Sequence, residues 1–252
     1  MIIQYASDLH LEFQENQIYL EDNPLIPKAE TLILAGDICL FIQIEKHKAF
    51  FDYISKHFKT TYWIPGNHEY YHFDLAKKTG AIFEKIRKNI FLVNNYVAEI
   101  EGVSLILSTF WSKIQPQNEW EIEHRMADFK VIRYQKHWFT ANQCSQLHNE
   151  SLEFIKNSLV ENTANKSVVV THHVPTYLHY PEKYKGDILN EGFATEYFDF
   201  IEASGPNFWI YGHHHQNTPN FTIGKTQLIT NQLGYIKYGE DMGFSLGRVI
   251  EI

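Results

Sequence analysis

At 252 residues with a formal charge of −8, the chain is 44% hydrophobic and 21% charged, which excludes a disordered or fibrous polymer and suits a soluble α/β domain. The acidic balance, with only four arginines (Arg87, Arg125, Arg133 and Arg248) and no basic runs, weighs against a long nucleic-acid partner. No apolar run approaches the roughly 20 residues of a membrane span, and the opening Met1-Ile2-Ile3-Gln4 lacks the basic region and apolar stretch of a signal peptide.

These features lead us to expect a cytoplasmic protein with no membrane contact. The two cysteines, Cys39 and Cys144, follow no metal or redox spacing and read as packing groups in a reducing compartment. No repeat, low-complexity tract or linker interrupts the chain, so one domain is expected over 1–252.

In chain order, short β-branched or aromatic runs end in polar signatures. Ile2–Ala6 leads to Ser7-Asp8-Leu9-His10, and Thr31–Ala35 leads to Gly36-Asp37. Thr61–Ile64 precedes Pro65-Gly66-Asn67-His68-Glu69, and Ser167–Val170 precedes Thr171-His172-His173. Phe208–Tyr211 runs into Gly212-His213-His214-His215. Helices are expected between them over 44–57, 73–88, 140–159 and 193–203. Toward the end, Phe221–Ile229 carries the turn signal Gly224-Lys225, and 244–251 reads as a further strand.

Alternating strands and helices imply parallel pairing with helices outside. Ligands of open α/β sheets bind beyond the C-terminal strand ends, where these signatures fall, so distant pieces of chain are expected to converge on one site. Asp8 and His10 stand two residues apart, as do His213 and His215, so in extended chain each pair leaves on one side. Asp37 follows a glycine, Asn67 offers an amide oxygen, and His172 or His173 follows a strand directly. Oxygen and imidazole donors without thiolate suit Mn, Fe, Zn, Co or Ni. Seven donors exceed one ordinary site and suit two cations that share a bridging carboxylate.

The ordered set Asp-x-His, Gly-Asp, Gly-Asn-His-Glu, His-His-x-Pro and Gly-His-x-His resembles the calcineurin-like metallophosphoesterase superfamily. The motifs span residues 8 to 215. The resemblance implies a four-layer α/β/β/α sandwich with two mixed β-sheets and the metals at the C-terminal strand ends. It implies that Asp8, His10, Asp37 and His215 hold one divalent cation, and that Asp37, Asn67, His172 and His213 hold a second. It implies that His68 is a general acid rather than a ligand, and that water activated between the cations hydrolyses a phosphate ester.

Two departures stand out. Ile38-Cys39-Leu40 replaces the Asp-Arg-Gly continuation of Ser/Thr protein phosphatases, and His214 adds a histidine expected in a supporting or surface position. The run Met126-Ala127-Asp128-Phe129 with Asn231–Tyr235 resembles bacterial members of poorly defined substrate. The aromatic and ionic segment 109–143 is expected to cap the site or to pack on the sandwich, with Arg125, Asp128 and Arg133 as candidate substrate groups. Tyrosines of the loop 175–192 are expected to anchor it. The remaining histidines (47, 57, 72, 124, 137, 148 and 179) read as surface or packing residues. The expected activity is hydrolysis of a small phosphodiester of nucleotide-like type; a phosphomonoesterase, a nuclease and a non-catalytic protein-binding scaffold are the alternatives.

Overall fold

The computed structural model describes all 252 residues. Strands β1 (Ile2–Ala6), β2 (Thr31–Ala35), β3 (Thr60–Ile64), β4 (Ile82–Arg87) and β5 (Ile90–Asn94) come first along the chain. β6 (Tyr96–Ile100) and β7 (Val103–Ser108) follow, then the short pair β8 (Arg133–Tyr134) and β9 (His137–Trp138). β10 (Lys166–Thr171), β11 (Phe208–Ile210), β12 (Phe221–Ile223), β13 (Thr226–Ile229) and β14 (Val249–Glu251) complete the set. The α-helices are α1 (Gln14–Asp22), α2 (Lys48–His57), α3 (Glu119–Arg125), α4 (Asp128–Val131), α5 (Ala141–Glu161) and α6 (Phe198–Ser204).

Two six-stranded sheets result, in the orders β14-β1-β2-β3-β5-β4 and β12-β13-β11-β10-β7-β6. In each, the inner strands pair in parallel and both edge strands pair antiparallel. The period-2 side-chain rule explains why Thr31–Ala35 reads as a continuous apolar run. Ile33 and Ala35 face the other sheet, where they pack with Val168, Val170 and Ile210, while Leu32 and Leu34 join the outer cluster that includes Phe51 and Ile54 of α2. A third cluster puts Ile155 of α5 and Ile201 of α6 against Val169 and Trp209. The layers are therefore α/β/β/α, as the resemblance implied.

Several boundaries moved. The stretch 73–88 is not a helix: it holds a 3-10 turn at Leu75–Lys77 and then β4, which pairs antiparallel with β5. Ile82 and Phe83 pair with Asn94 and Val93, with Phe83 stacked on Phe91 at 5.3 Å, while Ile86 sits at a bulge, and such pairing outweighs local helix preference. Strands β5, β6 and β7 were not anticipated. Of 244–251 only Val249–Glu251 is a strand, and α6 begins at Phe198 after a 3-10 turn at Ile188–Gly192. Helix α2 starts at Lys48 rather than 44. Helix α5 begins where its capping box sets it: the Thr140 side chain accepts from Gln143 N, and the Gln143 side chain accepts from Thr140 N.

Segment 109–143 buries Trp111, Ile122, Phe129 and Phe139 in the outer cluster of the first sheet. His148 of α5 ties that segment down. Its ring is fully buried, bonded to the Trp111 carbonyl and, at 2.7 Å, to the Tyr197 hydroxyl. Burial pushes its pKa down to about 4, so the folded state holds it neutral while the unfolded chain protonates it near 6.5. Stability is then complete above pH 6.5 and declines as pH falls toward 4, by on the order of 3 kcal/mol from this group. We expect His148→Gln to flatten the urea-denaturation profile between pH 7 and 4; an unchanged slope would remove His148 as a cause.

Candidate metal centre

Loops after β1, β2 and β3 of one sheet, and after β10 and β11 of the other, meet at one end of the sandwich. They are tied by main-chain bonds: Asp8 N and His10 N donate to Gly36 O and Asp37 O, both at 2.9 Å, and Gly212 N donates to His172 O at 3.0 Å. Glu69 closes the arrangement from below. Its buried carboxylate accepts from Gly66 N, Asp37 N, Ile38 N and Trp63 Nε1 at 2.7–3.0 Å. Burial and the Asp37 charge push the Glu69 carboxyl up to about 8, while donors such as Ile38 N pull it down.

The two glycines before the ligand-type residues have steric causes. A Cβ on Gly36 would lie 2.3 Å from His172 Nδ1, and one on Gly66 would lie 2.2 Å from Asp37 Oδ1. The room left by Gly36 is therefore taken by an imidazole, not only by an approaching ion.

All seven predicted donors converge. Asp8, His10, Asp37 and His215 form one group with donor atoms within 4.8 Å of one another, and Asp37, His172 and His213 form another. Asn67 joins the second group, its Oδ1 3.3 Å from His172 Nε2. Asp37 Oδ2 faces both, 3.7 Å from His10 Nε2 and 3.4 Å from His172 Nε2. Of the adjacent histidines, His172 points into the group, while His173 packs on the His213 ring at 4.2 Å and turns Nδ1 toward Thr109 O.

The far atoms of these side chains are also fixed. His10 Nδ1–H donates to Glu12 Oε1 (3.0 Å), His172 Nδ1–H to Ala35 O (2.9 Å) and His215 Nδ1–H to Glu240 Oε2 (2.7 Å). Each acceptor holds a proton on Nδ1, so in the neutral ring Nε2 is bare and aimed into the cluster. His10 Nε2 and His215 Nε2 then face each other at 2.9 Å, as do His172 Nε2 and His213 Nδ1 at 3.1 Å. Opposed lone pairs repel unless something electropositive lies against both, so the donor set fits divalent cations. His213 differs: its Nδ1 faces His172 Nε2, while its Nε2 is buried without a partner.

His68 stands beside this cluster. Its Nδ1–H donates to Glu12 Oε1 at 2.9 Å, its ring stacks on Tyr71 at 4.1 Å, and Nε2 lies 3.3 Å from the Tyr235 hydroxyl. Burial works against its charge, but the Asp37 carboxylate and Glu12 outweigh it and raise the pKa to about 9.

The three candidate substrate groups separate. Asp128 is buried, accepting from Asn67 Nδ2 (3.0 Å) and Tyr71 Oη (2.7 Å), so it orients the amide. Arg125 lines the mouth of a cavity of about 400 Å³ over the cluster. Arg133 does not line it: its guanidinium lies over the Trp138 ring at 3.2 Å. Part of 109–143 packs on the sandwich, and Arg125–Asp128 border the cavity. Tyr180 and Tyr184 of the 175–192 loop also line the cavity, beyond the anchoring expected of them. His214 is buried beside Gln232 rather than exposed.

Glu12 and Glu240 were missed. Glu12 continues the alternation Asp8-x-His10-x-Glu12, a signal present in the sequence; Glu240 lies in no motif.

A sandwich of two mixed sheets with clustered carboxylates, imidazoles and an amide at its strand ends defines a metal-binding phosphoesterase. The chain belongs to the calcineurin-like phosphoesterases, whose family profile matches residues 3–217. It is 29% identical over 262 residues to the uncharacterized protein L509 of Acanthamoeba polyphaga mimivirus, covering 93% of this chain and 91% of the other. The crystal structure of a phosphopantetheinyl hydrolase from Mycobacterium tuberculosis superposes with a TM-score of 0.70 at 14% identity, over 98% of this chain and 95% of that one. No helix is long and apolar enough to cross a membrane.

Because Asp37 faces both donor groups, Asp37→Asn is expected to reduce metal content at both, whereas Asn67→Ala removes one neutral donor and weakens one. Elemental analysis after dialysis checks this; two tightly held metals in the Asp37 variant would refute the bridge.

Proposed function

We propose that the protein is a two-metal phosphodiesterase acting on a small, nucleotide-like diester. The observation that carries this reading is the single Asp37 oxygen lying between two donor groups, with four side chains on each side when Asp37 is counted twice. Two divalent cations held there, Mn, Fe or Zn by donor type, supply Lewis acidity to the phosphoryl group and lower the pKa of water.

The chain's own residues do the rest. Glu12 holds His68 so that Nε2 faces the cavity. From there the imidazolium gives its proton to the departing oxygen, in general acid catalysis worth about 10²–10⁴-fold. Tyr235 Oη, beside Nε2, offers a second donor to a phosphoryl oxygen. A diester is favoured over a monoester because a dianion asks for free cationic side chains. Arg125 is engaged by Glu121 and Asp187, and Arg133 by Trp138. The absence of basic runs favours a small substrate over a polynucleotide.

Chelation is expected to abolish hydrolysis of bis(4-nitrophenyl) phosphate, and Mn, Fe or Zn to restore it above the rate on 4-nitrophenyl phosphate. A phosphopantetheinyl ester belongs in the same panel, given the M. tuberculosis likeness. Full turnover in metal-free protein would end the reading; faster monoester turnover would end its diester part.

His68→Ala is expected to lose most on esters of basic alkoxides, about 10²–10⁴-fold, and much less on nitrophenyl esters. The comparison is run at matched metal occupancy. Equal losses across leaving groups would reduce His68 to a phosphate-binding role.

A further inference from the structure

The walls of the cavity differ from its metal-facing floor. Part of the wall is built from the rings of Tyr180, Tyr184 and Phe193 and the apolar chains of Met126 and Leu189. Its one cationic residue is Arg125, and that guanidinium is shared between two carboxylates. Nη1 lies 2.8 Å from Glu121 Oε1, and Nη2 lies 3.4 Å from both Asp187 oxygens. Asp187 and Glu240 also line the space. Away from the cation site the wall is therefore largely apolar, and the one arginine that lines it is already paired.

We propose that this cavity receives an uncharged, ring-sized arm of the substrate and discriminates against arms that carry a further anionic group. The proposal rests on the phosphodiester reading and narrows it. The volume, about 400 Å³, is in the range that encloses a small organic ligand. Apolar walls reward removal of a ring from water, about 1.5–3 kcal/mol for a fully buried side-chain-sized group. A second anion entering here meets Asp187, and the lining guanidinium of Arg125 is already shared between two carboxylates, so its desolvation is poorly compensated. Substrates with an extra phosphate or carboxylate on that arm are excluded by the wall, not by the chemistry of the cluster. Asp187 serves this exclusion from a fixed position, because Oδ1 also accepts from Leu189 N at 3.0 Å.

The test uses ligands with one arm each: methylphosphonate, phenylphosphonate and 4-carboxyphenylphosphonate. Their dissociation constants are measured by calorimetry on the Mn-loaded full chain, and their inhibition constants against whichever nitrophenyl ester it hydrolyses. Phenylphosphonate is expected to bind at least about tenfold tighter than methylphosphonate, the equivalent of about 1.4 kcal/mol. The added carboxylate is expected to cancel that gain. In Asp187→Asn, which keeps an oxygen for Leu189 N but releases Arg125 on one side, the carboxylate penalty should shrink at least threefold.

Equal affinity for phenyl- and methylphosphonate would show the cavity empty during binding. Equal affinity for the phenyl and carboxyphenyl ligands in the unsubstituted protein would overturn the charge selection. If the chain hydrolyses monoesters alone, the diester reading fails by that result, while the affinity order still decides the cavity's preference.

Discussion

The site depends on backbone held in an unfavourable region. Asp8, His10, Asp37, His213 and His215 all have φ between 47° and 79°, a left-handed conformation that L-residues adopt at a penalty of about 1–3 kcal/mol each. Asp and His tolerate it better than β-branched residues do, and donors are thus the residue types that such turns admit. What holds the turns is the mesh of bonds across loops. Asp8 N and His10 N reach the Gly36–Asp37 carbonyls, His213 N reaches Asp8 Oδ1 at 3.0 Å, and His215 N reaches Gln232 Oε1 at 2.8 Å. The parallel strands put the loop starts side by side, and the mesh turns their side chains inward.

Orientation comes from the layer behind. Three of the imidazoles have one nitrogen committed to an oxygen of the protein and one left free, and the Asn67 amide is turned the same way by Asp128. Such supporting contacts fix the tautomer before any ion arrives, so reorganisation on binding is small. Glu12 serves two rings with one oxygen, and its charge is favoured: burial opposes it, but His10 and His68 hold the pKa down near 2.

The converging donor groups were legible because strand ends, glycine turns and alternate spacing are local signals, and motif order added the roles proposed for them. The supporting layer was less so. Glu240 and Asp128 meet the site through tertiary packing, and neither sits at a readable interval from the residue it holds. The segment 73–88 was misread because Ile82, Phe83 and Ile86 also satisfy a helical period, and only the neighbouring strand Ile90–Asn94 decides between the two. Arg133 looked like a phosphate group by composition; a tryptophan five residues on claimed its guanidinium face.

The donors come from both sheets: Asp8, Asp37 and Asn67 follow strands of one, His172, His213 and His215 follow strands of the other. Occupied, the cluster is a rivet through the two halves of the sandwich at one end, opposite no comparable fastening. Sheet alignment and coordination geometry are then a single mechanical variable. A volume change deep in the inter-sheet layer, among residues such as Ile33, Val168 and Ile210, would tilt one sheet on the other and be felt as a change in ion spacing. The inter-sheet core and the centre are then expected to answer to the same displacement.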